Sequence, residues 1–538
     1  MRKSINTMNF VKTLIFSAAL LSFSFPNAFA QNLEEKGRSD LACRYIDLKM
    51  KEEPFKSGLT GILAVTLDGD TLISHNCLGK MIPASNTKLI STGLAIHGLG
   101  AGYRFTTRIG YTGHISDGTL HGDLYIIGGG DPTLASGDKM APERDSLFSM
   151  WKTALTRKGI RRINGRIIGD GRFFDGPIEN DNWSYNDLGT DYGAGCNGLC
   201  FNRNIQTYKA LPTSIGNSAS VSVTYPQMPW MEFRNRSVTS AAGSGDNLYL
   251  FTTDLSTTAE MRGSLAIDKG ERKESCSNKY GALTCAWQFA EYLKVNDIHA
   301  ERVADIDNAG RIRTAPSWRK PSQKGLVVEG LAPAQEKITV IGKFLSPTVK
   351  EIAAVTNDRS DNFYAETLIR ILSKERTGSA SYDSCKVVIK RELDSLGVDP
   401  GYGIQMVDGS GLARHNYIAP DFFCRFLRAM SMSPAGKAYF NTLAGPSTGT
   451  MRYSMKNQAG DLRQRIKMKS GSMNGVVCFS GYILPTAKNR AEPAEGAFLP
   501  KNTIVFSIMT NNMPENESAV RRFIDRLLVI LAEQCDAK

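Results

Sequence analysis

The chain has 538 residues, a formal net charge of +12 and six histidines. Its length is sufficient for about three to four domains. The positive charge favours an anionic polymer over nucleic acid as a partner, because we recognise no folded nucleic-acid-binding module, although a solvated surface bias explains the charge equally well. The histidines are scattered without the spacing of metal ligands, so we expect no metal site and no cofactor.

The first thirty residues have the pattern of a secretory signal peptide. Three basic residues lie within the first twelve positions, an apolar run follows at residues 14–25, and residues 28–30 (AFA) form a small-x-small cleavage site. The apolar run is too short to cross a bilayer comfortably, and no cysteine stands at the cleavage site for a lipid anchor. We therefore expect export with cleavage after Ala30; a membrane-retained, uncleaved form is the alternative.

Ten cysteines in an exported chain permit disulfides, but their connectivity does not follow from the sequence. Proximity alone makes Cys196/Cys200 and Cys276/Cys285 the candidate pairs. Two other cysteines, at positions 424 and 478, lie among apolar residues, which favours buried thiols there.

Residues 60–76 predict a β-hairpin, in which two apolar runs flank the turn sequence DGD at residues 68–70. A two-stranded hairpin is not stable alone, and strand-like runs at residues 476–483 and 503–509 can complete its sheet. Residues 515–535 predict a helix with one apolar stripe for packing on that sheet. We therefore expect a mixed α/β (α+β) fold, in which both ends of the chain build one antiparallel sheet flanked by helices.

The tetrad Ser85-Asn86-Thr87-Lys88 precedes residues 89–99, which have the apolar spacing of a helix. Positions three apart share a helix face, which places the Lys88 ammonium beside the Ser85 hydroxyl. A serine hydroxyl is a weak nucleophile until a base takes its proton, and Lys88 can be that base only if burial or a second cation lowers its pKa. An exposed serine and lysine on an ordinary helix would give the same pattern.

The triplet SDN at residues 360–362 lies between residues 347–357 and 363–372, which both have helical apolar periodicity. It therefore predicts a helix–helix turn that points polar groups into a cleft. There Ser360 can relay a proton to a leaving group, and Asn362 can bond a substrate amide and the lysine of the tetrad. A turn whose polar side chains satisfy only local backbone groups is the alternative.

The triplet KSG at residues 469–471 ends one alternating run and precedes a strand-like run. This spacing predicts a sheet edge, where main-chain bonds can hold an extended peptide. Lys469 is the obvious second cation for the lysine of the tetrad, and Ser470 offers a hydroxyl to a substrate carboxylate. A basic surface strand is the alternative interpretation.

The three motifs, in this order, match the signature of penicillin-interacting serine enzymes. Compact serine β-lactamases have far shorter separations between the first two motifs than this chain, in which about half of the sequence separates Ser85 from Ser360. The chain thus resembles the class C low-molecular-mass penicillin-binding proteins, the D-alanyl-D-alanine carboxypeptidase/endopeptidase family, which carries inserted domains at that point. The family usually has Thr where this chain has Ser470, which keeps the hydroxyl.

Three further stretches carry the resemblance, which spans residue 59 to the C terminus. Residues 122–134 (GDLYIIGGGDPTL) are similar to the family's glycine-rich Gly-Asp-Pro segment and lack the Lys-Ser/Thr of a phosphate loop. Residues 408–414 (DGSGLAR) resemble its Asp-Gly-Ser-Gly-Leu loop. Residues 183–194 resemble the loop whose aromatic and acidic residues reach the cleft.

The resemblance implies a penicillin-binding transpeptidase-like domain split by inserted, mainly β domains. We expect the signal peptide at residues 1–30 and the first catalytic part at 31–104. The insertion is expected at 105–332, with a nested insert at about 130–207, and the second catalytic part at 333–538.

The resemblance also implies a periplasmic serine hydrolase that acts as a D-Ala-D-Ala carboxypeptidase and DD-endopeptidase on peptidoglycan stem peptides and cross-links, with β-lactams as covalent inhibitors. The catalytic residues implied are Ser85, Lys88, Ser360, Asn362 and Lys469. The substrate-binding residues implied are Ser470, Gly471, Ser472, Leu412, Arg414, Trp183, Asp187 and Tyr192. The main-chain N–H groups of Ser85 and Ser472 would form the oxyanion hole.

Some alternatives remain open at this point. Relatives often have two adjacent acids where this chain has Asn186-Asp187, and Arg414 could instead form a structural ion pair with Asp408. A β-lactamase is the rival enzyme. A catalytically silent wall-binding or β-lactam-sensing protein is the rival from another class, against which the filled catalytic positions argue. The sequence does not indicate the oligomeric state.

Overall fold

The computed structural model describes residues 40–316, 325–333 and 337–537. The predicted signal peptide and its cleavage site lie outside these residues. Among the helices described, none combines the length and the apolar character that a membrane span requires.

The strands and helices below are numbered in chain order. The strands are β1 (Leu59–Thr66), β2 (Thr71–His75), β3 (Arg104–Tyr111), β4 (His114–Ser116), β5 (Thr119–His121), β6 (Leu124–Ile127), β7 (Arg162–Asn164), β8 (Arg166–Asp170), β9 (Ile205–Leu211), β10 (Ser220–Tyr225), β11 (Glu232–Asn235), β12 (Val238–Ser240), β13 (Tyr249–Thr252), β14 (Thr258–Arg262), β15 (Ser264–Ala266), β16 (Arg272–Ser277), β17 (Arg302–Ile306), β18 (Arg311–Thr314), β19 (Val327–Leu331), β20 (Thr339–Thr348), β21 (Ile404–Gln405), β22 (Tyr417–Ile418), β23 (Ile466–Met473), β24 (Val476–Ile483) and β25 (Ile504–Asn511). The helices are α1 (Asp40–Lys49), α2 (Thr87–Leu99), α3 (Arg144–Arg157), α4 (Tyr185–Leu188), α5 (Gly281–Val295), α6 (Val349–Arg359), α7 (Asn362–Thr377), α8 (Tyr382–Ser395), α9 (Pro420–Met432), α10 (Gly436–Phe440), α11 (Gly460–Gln464) and α12 (Glu517–Ala537).

A five-stranded antiparallel sheet with the order β2-β1-β25-β24-β23 joins both ends of the chain. Side chains alternate between its two faces. On one face Ile62 and Ile508 pack against Phe523 and Leu527 of α12. The opposite face belongs to a second core, which also contains α2, α7 and α9. The predicted hairpin, its partner strands and the closing helix are thereby confirmed.

A seven-stranded sheet with the order β19-β18-β17-β8-β6-β3-β20 forms a second layer. Its core includes Trp151 of α3 and Phe289 of α5, whose rings meet edge to face with centroids 5.3 Å apart. The last strand of this sheet, β20, ends at Thr348 and pairs with β3. That strand lies past residue 332, where we expected the insertion to end, so we propose that the insertion ends near Thr348, where α6 begins.

Three of the smaller sheets lie between residues 205 and 277. They consist of β10-β9-β16, β11-β14-β13 and the pair β12-β15. The nested insert was expected at about residues 130–207, but that range contains β8, a central strand of the seven-stranded sheet. Alternating patterns identify strands and not their pairing partners, so we propose the nested part at residues 205–277 instead.

The candidate disulfides are corrected by the structure. Cys196, Cys200, Cys276 and Cys285 are buried thiols without S–S bonds, and the Cys200 thiol donates to the Asn197 carbonyl at 3.0 Å. Nearness in sequence does not provide the Cβ geometry that a disulfide requires. The thiols at positions 424 and 478 are buried, as predicted.

Cleavage within the insertion should leave the two ends of the chain associated. We expect a single engineered protease cut in the exposed turn at residues 241–244 to give fragments that co-elute on native size-exclusion chromatography, because β1 and β25 pair along their whole lengths. The same sample in denaturant is the control and should separate. Separation under native conditions would contradict a shared sheet.

Candidate active site

The structure brings the three sequence motifs together at one end of the five-stranded sheet. Ser85 lies on a 3-10 turn, Ala84–Asn86, that leads directly into α2. The Lys88 ammonium donates to the Ser85 hydroxyl at 2.8 Å and to the Asn362 side-chain oxygen at 2.6 Å. The second predicted cation, Lys469, donates to the Ser360 hydroxyl at 3.0 Å.

The turn between α6 and α7 holds the second motif by local backbone chemistry. Ser360 has φ +60° and ψ +41°, a left-handed conformation that ends α6. Asp361 then caps α7 by accepting the Tyr364 N–H at 3.0 Å, and its carboxylate pairs with Arg203 from the insertion. Asp361 thus acts as a cap and an anchor, while its two neighbours face the lysines.

Lys88 is completely buried and donates to three oxygen atoms. The third acceptor, besides the two named above, is the main-chain carbonyl of Ser410 at 2.6 Å. Burial lowers the pKa of Lys88 to about 8, against the opposing effect of Asp408, Asp361 and Glu366. A buried ammonium with a lowered pKa can lose its proton near neutral pH, as a general base must.

Lys469 is also completely buried. Burial, and then the charge of Lys88, lowers the pKa of Lys469 well below its ordinary value. Its ammonium also donates to the Ser470 carbonyl at 2.6 Å. The charge of Lys88 thus opposes protonation of Lys469, whereas burial is the cause of the lowered pKa of Lys88, and the predicted effect of the second cation on Lys88 stays a prediction.

Strand β23 forms the edge of the sheet beside Ser85. A Cβ at Gly471 would lie 2.5 Å from the Pro83 carbonyl oxygen, so only glycine allows this approach to the Ser85 turn. Met468 donates its N–H outward to the Ala444 carbonyl at 2.8 Å. Because N–H groups alternate in direction along a strand, those of Ser470 and Ser472 point to the same outer side.

The loop at residues 408–414 passes on the other side of Ser85. Gly411 has φ +81°, and a Cβ there would lie 2.0 Å from the Ala84 carbonyl oxygen. Leu412 is half-buried and Arg414 is exposed. Arg414 donates to the Asn474 carbonyl at 3.0 Å.

The alternative ion pair between Arg414 and Asp408 is absent from the described contacts of either side chain. The Asp408 carboxylate accepts four N–H bonds instead, at 2.7 to 2.9 Å, from Gly411, Ala413, Asn416 and Trp183. These bonds fix the loop.

The predicted role of Trp183 needs correction. The side chain is 6% exposed, and its indole N–H is taken by Asp408 at 2.9 Å. Trp183 therefore buttresses the loop and does not offer its polar edge to a substrate. The position of Trp183 in the sequence correctly predicted that it lies near the site, but its burial shows that it supports the loop.

Two other residues of the same loop do face the cleft. The Tyr192 carbonyl accepts the Asn362 side-chain N–H at 2.9 Å, and the exposed Tyr192 hydroxyl donates to Asp187 at 3.2 Å. Burial raises the pKa of Asp187, whereas Tyr192 and the charge of Arg414 act in the opposite direction. The charge of Arg414 therefore acts on the Asp187 carboxylate.

Three site residues were missed by the sequence analysis. The Ser410 carbonyl is a main-chain group, so no side-chain pattern indicates it. Thr450 is exposed and its hydroxyl lies 3.3 Å from that of Ser470; no sequence motif surrounds it. Glu366 accepts from the Ser410 N–H at 2.7 Å, and its position four residues after Asn362, on the same helix face, was an available signal.

Within the described residues, no three His, Cys, Asp or Glu side chains converge as a metal site would need.

Comparisons with known proteins find relatives over most of this chain. The D-alanyl-D-alanine carboxypeptidase of Actinomadura sp. (strain R39) is 26% identical over 486 residues, which cover 87% of this chain and 80% of that protein. The D-alanyl-D-alanine carboxypeptidase DacB of Haemophilus influenzae is 23% identical over 436 residues, which cover 79% of this chain and 82% of that protein.

The crystal structure of penicillin binding protein 4 (dacB) from Haemophilus influenzae has the same fold, with a TM-score of 0.72 at 20% identity over 91% of this chain and 99% of that chain. The model of the D-Ala-D-Ala carboxypeptidase 3 (S13) family matches residues 46–312 and 317–534. Because that match covers most of the sequence, the chain belongs to the D-Ala-D-Ala carboxypeptidase 3 (S13) family and is a serine-type D-Ala-D-Ala carboxypeptidase.

Proposed function

We propose that this carboxypeptidase cleaves peptidoglycan stem peptides through an acyl-enzyme on Ser85, with Lys88 as the general base. The observation that carries the proposal is the set of oxygen atoms around the Lys88 nitrogen. A neutral lysine has two N–H bonds and one lone pair. Where the two N–H bonds go therefore decides where the lone pair points.

Two of the three partners of Lys88 can only accept hydrogen bonds. The Ser410 carbonyl has no hydrogen to donate. The Asn362 amide is oriented by its N–H bond to the Tyr192 carbonyl, which leaves its oxygen for Lys88. The remaining direction belongs to the Ser85 hydroxyl, 2.8 Å away. The lone pair of neutral Lys88 thus meets the one partner that has a proton to give.

We place the oxyanion hole between the main-chain N–H groups of Ser85 and Ser472. The close approach of Gly471 to the Ser85 turn and the outward direction of the Ser472 N–H support this placement. Attack of Ser85 on the penultimate D-alanine carbonyl would put negative charge between two fixed donors, which stabilise it without reorganisation.

Collapse of the tetrahedral intermediate expels the terminal D-alanine, whose amine needs a proton. Ser360, whose hydroxyl accepts from the buried Lys469 ammonium at 3.0 Å, can relay to this amine the proton that Lys88 took from Ser85, which leaves Lys88 neutral again. Water then attacks the ester while Lys88 takes one of its protons, and Lys88 returns that proton to the departing Ser85 oxygen. Cleavage of cross-links uses these steps with a longer leaving group, so we include DD-endopeptidase activity.

Peptidoglycan lies outside the cytoplasmic membrane, so we also propose that the leader at residues 1–30 directs the chain to the periplasm.

The subsite for the third residue of the stem peptide is proposed at Asp187 and Arg414. Asp187 is linked to Asn362 through Tyr192. Arg414 contacts the Asn474 carbonyl next to β23, and its charge acts on the Asp187 carboxylate. An acid and a base at one subsite suit a side chain that carries both an ammonium and a carboxylate, as diaminopimelate does.

A labelled penicillin should form a long-lived adduct on Ser85, because a β-lactam resembles the D-Ala-D-Ala end and its ring-opened product does not leave. Intact-mass analysis should show one adduct in the wild type and none in Ser85→Ala. Ser149→Ala, on the exposed surface of α3, is the matched control and should be labelled normally. An adduct that persists in Ser85→Ala would remove the assignment of the nucleophile, and rapid penicillin turnover would favour a β-lactamase.

The rate of penicillin acylation should rise with pH through the pKa of Lys88, about 8. Only the neutral amine can take the Ser85 proton, so protonation below that pH removes activity in proportion to the lost neutral fraction, roughly tenfold per unit. Stopped-flow acylation between pH 6 and pH 9.5 measures this limb. A rate that stays constant over the whole range would argue against Lys88 as the base.

Arg414→Ala should slow cleavage selectively. Loss of a charge-assisted contact costs about 1.5–3 kcal/mol, so kcat/KM should fall roughly ten- to hundredfold for a peptide with a diaminopimelate side chain and stay nearly unchanged for one with a neutral side chain. Arg391→Ala, an exposed arginine on α8, is the control. An equal loss on both peptides would indicate a structural arginine.

A further inference from the structure

Glu366 is a buried carboxylic acid one helical turn after Asn362 on α7, and it is 1% exposed. Its Oε1 accepts the N–H groups of Gly409 at 3.0 Å and Ser410 at 2.7 Å. Its Oε2 is buried and has no hydrogen-bond partner. Burial of a carboxyl group with one unpartnered oxygen is costly, so the group calls for an explanation other than stability.

The residue that Glu366 holds is also the one that holds Lys88. Ser410 donates its N–H to Glu366 and accepts the Lys88 ammonium on its carbonyl at 2.6 Å. The neighbouring Gly409 carbonyl accepts the hydroxyl of Ser91, one turn after Lys88 on α2. Hydrogen bonds therefore join this short loop to α7, through Glu366, and to α2, through Lys88 and Ser91.

We propose that Glu366 is a positioning residue that keeps the Ser410 carbonyl on Lys88 and that, through its own charge, sets the proton affinity of this base. The inference rests on the proposed role of Lys88. It assigns to Glu366 no contact with the substrate. It explains why an acid occupies a place where an apolar side chain or an amide would be less costly to bury.

The electrostatic surroundings are consistent with two linked protonation states. Burial, and then the charge of Asp408, raises the pKa of Glu366 to about 8, close to that of Lys88. The other ionisable groups on which the charge of Glu366 acts come from α8 and from the insertion, and they are Tyr382, Cys385 and Cys196. Arg370 lies four residues after Glu366 on the same helix. An ionised Glu366 stabilises the Lys88 ammonium, so proton gain at Glu366 favours proton loss at Lys88.

Glu366→Gln separates charge from geometry. The amide keeps one oxygen for the two loop N–H groups and can never be negative. The acidic limb of penicillin acylation should move to lower pH by about one unit, and the high-pH plateau should stay within about threefold of the wild type. Glu392→Gln, at a buried glutamate on α8 that pairs with Arg376, is the matched control and should leave the limb in place.

Glu366→Asp tests whether Glu366 positions the Ser410 carbonyl. It keeps the charge and withdraws the acceptor by one methylene, so the limb should stay near the wild-type pH while the plateau falls about tenfold or more, because the Ser410 carbonyl is no longer held. An unmoved limb in folded Glu366→Gln, or an unchanged plateau in Glu366→Asp, overturns the inference. If Glu366→Gln does not fold, the plateau and limb of Glu366→Asp decide. Both variants retain Ser85 and Lys88, so these outcomes are distinct from a failure of the nucleophile assignment in Ser85→Ala.

Discussion

The burial of the Lys88 ammonium without a carboxylate contact is the constraint on which the rest of the site depends. Removing a charge from water costs several kcal/mol even after relaxation. A direct carboxylate partner would recover that cost and would also keep the lysine protonated. The three contacts of Lys88 are instead a hydroxyl, an amide oxygen and a main-chain carbonyl, which satisfy its N–H groups and still allow its pKa to fall. The acids that offset burial act from a greater distance, through the loop and the α7 cap.

The insertion is part of that environment. Its residues contact α7 at three positions along the helix. Arg203 pairs with the cap Asp361, and the Tyr192 carbonyl orients Asn362. Further along the helix, the fully buried Arg370 donates its guanidinium N–H groups to the carbonyls of Asp175, Pro177 and Cys196. Each contact fixes the helix that carries Asn362 and Glu366. The insertion therefore holds one wall of the cleft, in addition to supplying the loop with Asp187. A catalytic sheet without it would leave the ends of these hydrogen bonds in water or unpaired.

Sequence reasoning found the parts of this structure that depend on local pattern. Apolar periodicity identified the hairpin, the turn between α6 and α7 and the closing helix, and the order of three motifs indicated that Ser85, Lys88, Ser360, Asn362 and Lys469 meet. Sequence reasoning failed for the features that depend on which strands pair and which side chains are buried. The strand that completes the seven-stranded sheet, the position of the small sheets and the role of Trp183 all depend on long-range contacts. The Ser410 carbonyl is invisible to any side-chain pattern, although it accounts for one of the three contacts of Lys88.

Two glycines explain how the position of Ser85 can be fixed so closely. The Ser85 turn lies between β23 and the loop at residues 408–414. A Cβ at Gly471 would come within 2.5 Å of the Pro83 carbonyl oxygen, and one at Gly411 within 2.0 Å of the Ala84 carbonyl oxygen. The backbone of the Ser85 turn thus packs directly on the backbone of β23 on one side and on that of the loop on the other. At these two glycines no side chain separates the backbones, so there is little room for them to shift. The position of Ser85 is then set by the sheet and by the loop together, and the loop is the same one that supplies the Ser410 carbonyl to Lys88. The same loop therefore contacts both the Ser85 turn and Lys88, which keeps the distance between these two residues independent of the longer side chains around the cleft.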